Sequence, residues 1–367
     1  MMSLGAIQLG VMAACVVLFV PMGMAGWHLS RNKMLFFSGV LFITLAVGVH
    51  LTPYFPSISD FASSVSSFVV FNDPSNNHRH NCLTHLHDVV WDSSNNNNNT
   101  NSWGWSSSSS SSCDFHPLTR SDTSDLLNGS WVVIAGDSQA RFIALALLQL
   151  VLDANKIPSL KSDLFKRHSD YHIVVDSIGF KLDFIWAPYI SNLTHLILNL
   201  QRNRNYPDVL VLGSGLWHML HFTNASNFAF HLNSLRNSVV SLLPISSELE
   251  VRSPHPPHLF WIGMPTLINS MLNTEEKREK MTDTMRVAYD EALWRSKVLR
   301  QSGGLLLLLD MESLTWNCGV KCTEDGMHYH GAVYEAAIHI LLNALLIQSH
   351  QTLWSTFNPC VRLNSSP

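Results

Sequence analysis

An apolar run, a small turn and a helix start follow one another in Trp131-Val-Val-Ile-Ala-Gly136-Asp137-Ser138. The continuous run up to Ala135 is typical of a strand that is buried on both faces. Gly136 lets the backbone bend sharply, and Ser138 stands where a helix begins, with its own backbone N–H free to face a developing oxyanion. Because serine is also a common helix cap, the stretch predicts either a nucleophile or a cap at the end of a strand.

Short apolar runs alternate with helical stretches on the C-terminal side of Arg120. Strands are predicted at 131–135, 172–178, 208–212, 259–263 and 305–310. Helices are predicted at 139–153, 228–243, 275–301 and, as an amphipathic final helix, 332–348. This order predicts a doubly wound α/β/α sandwich with a parallel sheet, in which ligands bind beyond the carboxyl ends of the strands.

A second polar motif, Asp325-Gly-Met-His328, lies between the last predicted strand and the last helix. A serine hydroxyl needs a base within hydrogen-bond reach, and the base needs a group that fixes its tautomer. We therefore predict Ser138 as the nucleophile, His328 as the base and Asp325 as the group that orients it. His330, two positions further on, is a rival base.

These two motifs resemble the first and fifth sequence blocks of the SGNH hydrolases, in particular the PC-esterase branch, over about residues 130–348. That branch includes the plant trichome-birefringence-like polysaccharide O-acetyltransferases and the sialate O-acetyltransferases. The resemblance implies an SGNH (flavodoxin-like) fold and a Ser-His-Asp acyl-enzyme mechanism. It also implies no bound cofactor, with an acetyl donor, such as one derived from acetyl-CoA, as a substrate.

The resemblance assigns further residues to the site. The oxyanion hole would be formed by the amides of Ser138, Gly179 and Gly213, with a turn glycine as the alternative for Gly179. Arg141 and Trp217 would bind substrate, with an ordinary surface arginine as the alternative for Arg141.

Two departures from the family pattern stand out. Gly213-Ser-Gly-Leu-Trp217 stands where the third block would have Gly-X-Asn-Asp, so the asparagine donor of the oxyanion hole is absent. A Gly followed by Trp at this place still fits the PC-esterase branch. The plant group's Asp-Cys-X-His-Trp-Cys is also absent, which tilts the resemblance toward the sialate-type transferases.

The first 55 residues contain two uncharged apolar runs, at about 4–27 and 35–51, each close to the length of a membrane-spanning helix. Arg31 and Lys33 lie in the loop between the runs, which the positive-inside rule places in the cytosol. We predict a two-helix anchor with a lumenal domain after it. A cleaved signal peptide followed by one span is the alternative and leaves that domain on the same side.

Residues 56–120 are predicted to form a flexible lumenal stem, because they are poor in periodic hydrophobic residues and carry an Asn run at 95–99 and a Ser run at 106–112. The catalytic domain is predicted at 121–350, followed by a C-terminal tail at 351–367. Asn-X-Ser/Thr sequons, which predict glycosylation in a secretory compartment, begin at Asn98, Asn128, Asn192, Asn224 and Asn364.

Of the six cysteines, Cys15 lies in the first apolar run, which leaves an odd number for an oxidising lumen. At least one of them is therefore free or pairs with another chain. Cys318 and Cys322 have a spacing that allows zinc, but in that compartment we predict disulfides and no metal site.

The net charge of −4, without any block of Lys or Arg, gives no footprint for nucleic acid. We predict a membrane-anchored O-acetyltransferase of the Golgi or secretory pathway, with its catalytic domain in the lumen. Its partners would be the membrane and a glycan or small ester substrate. A carbohydrate acetylesterase and an inactive glycan-binding protein are the alternatives.

Overall fold

The computed structural model describes residues 82–92, 102–242 and 257–357, with side chains described for 82–91, 102–242 and 257–348. The predicted membrane anchor at 1–55 lies outside these residues, as do the sequons at Asn98 and Asn364.

The described residues form a two-stranded and a six-stranded sheet. The strands are β1 Val89–Asp92, β2 Ser102–Trp105, β3 Trp131–Gly136, β4 Tyr171–Val175, β5 Phe180–Trp186, β6 Val209–Gly213, β7 His258–Ile262 and β8 Leu307–Leu309. The large sheet has the order β4-β5-β3-β6-β7-β8, with β4 antiparallel to β5 and every other pair parallel. The predicted α/β class with a mostly parallel sheet is confirmed.

Helices cover both faces of this sheet. They are α1 Ser107–Cys113, α2 Arg120–Leu126, α3 Ser138–Val151, α4 Ile157–Leu164, α5 Ile190–Asn203, α6 Leu216–His221, α7 Ala225–Val240, α8 Glu275–Lys280, α9 Asp283–Arg295, α10 Met311–Cys318 and α11 Gly331–Phe357. Val132 and Ile134 of β3 share a core with α3, α10 and α11, whereas Val133 and Ala135 share one with α5, α7 and α9. Alternate residues of the central strand thus point into two separate cores, which is why its sequence is apolar throughout.

The sheet differs from the prediction at one edge, where β5 was not expected. β4 turns back into β5 through a tight connection that contains Gly179, whose φ is +62°. Exposed and half-buried positions alternate along β4, as expected for an edge strand with one face toward solvent. The predicted strand 172–178 is therefore the first half of a hairpin.

The predicted flexible stem contains ordered structure in its described parts. β1 and β2 form a hairpin, and the Ser run folds into α1, whose residue Ser109 donates to Asp88 at 2.8 Å. A disulfide joins Cys82 to Cys113 and closes this unit. The prediction of a flexible stem is wrong for these residues, because long-range contacts supply the stability that local composition lacks.

The helical predictions hold with two differences. The stretch 275–301 contains α8, α9 and a 3₁₀ turn, since Thr282 caps a new helix by accepting from Met285 N. α11 is buried on most sides instead of amphipathic. Among the described residues it alone is long and apolar enough to cross a membrane, but 72% of that stretch is buried in the domain.

Candidate active site

The carboxyl end of β3 leaves no room for side chains. Gly136 pairs with Trp186 of β5 on one side and with Gly213 of β6 on the other. A Cβ at Gly136 would lie 2.2 Å from the Gly213 carbonyl oxygen, and a Cβ at Gly213 would lie 2.7 Å from Cβ of Ile262. Both glycines therefore let the three strand ends pack closely at the point where the chain turns into α3.

Ser138 is the first residue of α3, and Asp137 caps that helix. Asp137 Oδ1 accepts from the Gln139 amide at 3.0 Å. The Ser138 amide has no acceptor among the described residues. Burial raises the pKa of Asp137 to about 7, although the Gln139 amide opposes that shift.

The loop before α11 holds His328 in a fixed place. Asp325 Oδ1 accepts from the amides of Met327 and His328 at 3.0 and 2.7 Å. The Thr323 hydroxyl accepts from the Gly326 amide and donates to the His328 carbonyl oxygen at 2.6 Å. The turn requires glycine at Gly326, whose φ is +77° and whose Cβ would lie 2.5 Å from a backbone oxygen.

The three residues predicted as a triad meet at this edge of the sheet. The Ser138 hydroxyl donates to Nε2 of His328 at 2.7 Å, and Nδ1 of His328 donates to Oδ2 of Asp325 at 2.7 Å. The side chain of His328 is 26% exposed, so solvent or substrate can reach it. His330, the rival base, has an exposed side chain and does not take this place.

Asp325 is held as a carboxylate. Burial alone would raise its pKa, but hydrogen bonds from the amide and ring of His328 and from the Met327 amide outweigh burial and lower it. An ionised Asp325 keeps the His328 proton on Nδ1 and leaves Nε2 free to accept from Ser138.

The sequence did not predict a role for Gln139 and Tyr334, two buried residues that link the start of α3 to the loop that carries His328. Gln139 is 4% exposed; its Nε2 donates to the Met327 carbonyl oxygen at 2.8 Å, and its Oε1 accepts from the Tyr334 hydroxyl at 2.9 Å. Phe142 stacks on Tyr334 and also contacts the His328 ring. A polar residue inside an otherwise apolar helix face was the only signal for Gln139.

Gly179, predicted for the oxyanion hole, lies at the opposite end of β5 from the site. It contacts Gly129, which comes just before β3 begins, and so lies a whole strand away from Ser138. The prediction for Gly179 is wrong because β5 was not expected. Gly179 lies in the turn between β4 and the antiparallel β5, and not at the carboxyl end of a parallel strand. At the carboxyl end of β5 the amides of Trp186 and Ala187 already donate to Asp170 and Gly136.

Gly213 lies at the end of β6 next to Gly136, so it is close to the site. The third-block asparagine is replaced by Gly215, where a Cβ would lie 2.6 Å from the Met264 sulfur. An asparagine would not fit there without a shift of Met264. The role of Gly213 in an oxyanion hole stays a prediction.

Arg141 is buried, at 7% exposure, and is not an ordinary surface arginine. Its guanidinium lies over the rings of Trp186, Phe184 and Phe165, at 4.8, 5.2 and 5.7 Å from their centroids. Nε and Nη2 are buried without a hydrogen-bond partner. Burial lowers the pKa of Arg141.

Trp217 lies on α6 in a group of aromatic rings. Its ring is edge-on to that of Trp186, with centroids 5.4 Å apart, and is also in contact with His168 and His221. Substrate-binding roles for Arg141 and Trp217 remain predictions, and both residues lie beside the end of β5.

Cys318 and Cys322 are joined in a disulfide, which the sequence favoured over a zinc site at these two cysteines. Of the sequons within the described part of the chain, Asn128, Asn192 and Asn224 all have exposed side chains.

No model of a known protein family matches the chain. Over 372 residues it is 57% identical to Protein ALTERED XYLOGLUCAN 9 of Arabidopsis thaliana, a match that covers 95% of this chain and 100% of that protein. The chain belongs to the ALTERED XYLOGLUCAN 9 family. The tilt toward the sialate-type transferases is corrected by this finding, because the full-length relative is a plant protein named for a polysaccharide.

Two solved structures are also similar to the chain. TesA matches at 14% identity, with 62% of this chain and 98% of that chain covered and a TM-score of 0.32. A mutant of Axe2, an acetyl-xylooligosaccharide esterase from Geobacillus, matches at 13% identity, with 60% and 95% covered and a TM-score of 0.34.

Proposed function

We propose that this member of the ALTERED XYLOGLUCAN 9 family is a membrane-anchored O-acetyltransferase of the Golgi or secretory pathway. Its acceptor is a plant cell-wall polysaccharide, and it works through an acetyl-enzyme at Ser138. The observation that carries this proposal is the hydrogen-bonded chain from Asp325 through His328 to Ser138, with both links at 2.7 Å. The name of the Arabidopsis relative supports a polysaccharide as the substrate class.

In the first half-reaction the Ser138 oxygen attacks the acetyl carbonyl of the donor, and Nε2 of His328 takes the hydroxyl proton. The negative charge that develops on the carbonyl oxygen faces the free Ser138 amide at the start of α3. When the intermediate collapses, the bond to the donor breaks. The leaving group departs with the proton from His328, and the acetyl group stays on Ser138.

In the second half-reaction a sugar hydroxyl takes the place of the leaving group. His328 removes its proton, the sugar oxygen attacks the acetyl carbon, and the proton then returns to the Ser138 oxygen as that bond breaks. Asp325 stabilises the imidazolium in both halves. If water attacks instead, the same residues perform ester hydrolysis, so the acceptor decides between transferase and esterase.

The test uses the full-length protein in detergent with an acetylated chromogenic ester, with and without xyloglucan oligosaccharides. Ser138→Ala and His328→Ala are each expected to lower turnover by several orders of magnitude. The double variant should be scarcely worse, because a nucleophile and its base act as one unit. Asp325→Asn should cost less than either, and His330→Ala is the matched control.

Peptide mass measurement after incubation with donor should find an acetyl group on Ser138. Faster release of the chromophore on addition of the oligosaccharide, with acetylated sugar as product, would support transfer. Release without sugar acetylation would assign the esterase. Full activity of both alanine variants would refute the triad.

A further inference from the structure

Three aromatic rings meet beside the candidate nucleophile, and none of them takes part in the steps above. We call Trp186, His168 and Trp217 the aromatic wall. The His168 and Trp186 rings are stacked, with centroids 5.0 Å apart and an 18° angle between planes. Trp217 stands edge-on to both, at 84° and 87°.

The position of the aromatic wall follows from the sheet. Trp186 is the last residue of β5 and pairs with Gly136 of β3. Gly136 lies two residues before Ser138. Trp217 follows Gly213, which is the other neighbour of Gly136. Because β5 and β6 flank β3, rings from these two strand ends can touch only by reaching across the end of β3. The aromatic wall therefore stands next to the turn that carries Ser138.

The Trp186 ring of the aromatic wall is packed against two neighbours. Arg141 lies 4.8 Å from the centroid of this ring, and His168 stacks on it. His168 has a φ of +54°, in the left-handed region that is unfavourable for a residue with a side chain. His168 is exposed, so its ring can be reached from solvent.

Such an arrangement suits a sugar ring. The C–H face of a pyranose is apolar and packs on aromatic rings, while its hydroxyl groups stay directed outward. A rigid surface loses little conformational entropy on binding. Charges of opposite sign adjoin the aromatic wall and offset each other: the Arg141 guanidinium lies 4.8 Å from the centroid of the Trp186 ring, and the Asp170 carboxylate accepts from the Trp186 amide at 2.8 Å. The surface therefore favours a neutral sugar over an acidic one.

We propose that the aromatic wall is the binding site for a neutral sugar ring of the acceptor polysaccharide, and that it directs a hydroxyl of that sugar toward His328. This inference rests on the proposed function and adds to it the class of acceptor and the residues that hold it. Trp217 and His168 provide the reachable ring surface, while Arg141 and Trp186 fix it in place.

The experiment measures binding without turnover. The full-length Ser138→Ala protein in detergent is titrated with a xyloglucan oligosaccharide by isothermal calorimetry. Adding Trp217→Ala or His168→Ala is expected to raise Kd by about tenfold or more, and Trp217→Phe should restore part of the loss. Trp316→Ala is the matched control, since Trp316 is 72% exposed on α10 and lies outside the aromatic wall. Thermal melts check that each variant is folded.

Unchanged Kd in folded Trp217→Ala and His168→Ala would overturn the inference. Tighter binding of an oligogalacturonide than of the neutral oligosaccharide would overturn the class of acceptor. Because binding is measured with Ser138 removed, a failure of acetyl transfer in the wild-type protein is seen separately. Loss of oligosaccharide binding in the aromatic wall variants would still support the inference in that case.

Discussion

Gln139, the residue after the candidate nucleophile, donates through Nε2 to the carbonyl oxygen of Met327, the residue before the candidate base, at 2.8 Å. The two residues are 188 positions apart in the chain. The same amide accepts from the Tyr334 hydroxyl at the start of α11. One buried side chain thus ties the start of α3 to the loop that carries His328, and it sets the distance between Ser138 and its base.

Gln139→Met tests this positioning role. The change keeps the length of the side chain but removes the donor of the Met327 carbonyl and the acceptor of the Tyr334 hydroxyl, at a cost of about 1–3 kcal/mol for each buried group. The Tyr329 amide still donates to that hydroxyl. We expect kcat on a chromogenic acetyl ester to fall about tenfold or more while KM changes little, because the geometry of proton transfer is lost and not substrate binding. Gln149→Met, at an exposed position of the same helix, is the control. Equal loss of kcat in both variants would contradict the role.

Asp137→Asn should stabilise the protein in a pH-dependent way. Burial raises the pKa of Asp137 to about 7 from an ordinary 3.8, so the folded protein holds this proton up to near neutrality. Its contribution is most favourable at low pH and is lost as the pH rises through about 7. Asparagine can still accept from the Gln139 amide and carries no charge. We expect a higher Tm than wild type at pH 8 and a small difference at pH 4. The exposed Asp125→Asn is the control, and a larger gain at pH 4 than at pH 8 would refute this reasoning.

Arg141→Met should raise stability while it harms function. The cation–π contacts of Arg141 contribute about 0.5–2 kcal/mol, whereas each unpaired buried N–H group costs about 1–3 kcal/mol. Arg141 has two such atoms, Nε and Nη2, so the free-energy cost of the unpaired groups exceeds the gain from the cation–π contacts. We expect a Tm a few degrees higher and weaker binding of a xyloglucan oligosaccharide, because Trp186 loses its support. Arg202→Met, at an exposed position, should change neither quantity. A lower Tm for Arg141→Met than for the wild type would show that the cation–π contacts stabilise the protein by more than the unpaired N–H groups cost.

Asn128, Asn192 and Asn224 are predicted to carry glycans, since all three side chains are exposed and a lumenal domain meets the glycosylation machinery. Treatment of the protein from plant cells with an endoglycosidase should lower its apparent mass. Replacing all three with Gln should remove most of the shift. An unshifted wild-type protein with a C-terminus open to protease from the cytosolic side would contradict the predicted topology.

The two polar motifs, together with the resemblance to the SGNH hydrolases, predicted that Ser138, Asp325 and His328 lie close together. An unbroken apolar strand can be buried only in the middle of a sheet, and the carboxyl ends of parallel strands share one edge. The Gly-Asp-Ser motif follows β3 directly, whereas Asp325 and His328 come after β8 and α10, in the loop before α11. The alternation of strands and helices predicted the fold class and placed both loops at one edge of the sheet, and the resemblance to the SGNH hydrolases paired the two motifs.

The parts that were missed depend on contacts between distant residues. β5 carries Lys181 and Asp183 at half-buried positions of an otherwise apolar strand, so it did not register as an apolar run. Gln139 was not recognised because its partners are almost two hundred positions away. The Ser run gave no local sign of helix, but Ser106 caps it and the Cys82–Cys113 disulfide holds its end.

The hairpin unit that precedes α2 has a practical bearing on how the enzyme is produced. His339 and Asn343 of α11 bond to the backbone at Leu118 and His116, and the ring of Trp103 contacts His339. A recombinant fragment that starts at residue 121 would expose this side of α11 to water and is expected to precipitate. A soluble preparation has to begin before Cys82 and be expressed where its cysteines oxidise, such as the secretory route of a yeast or the bacterial periplasm.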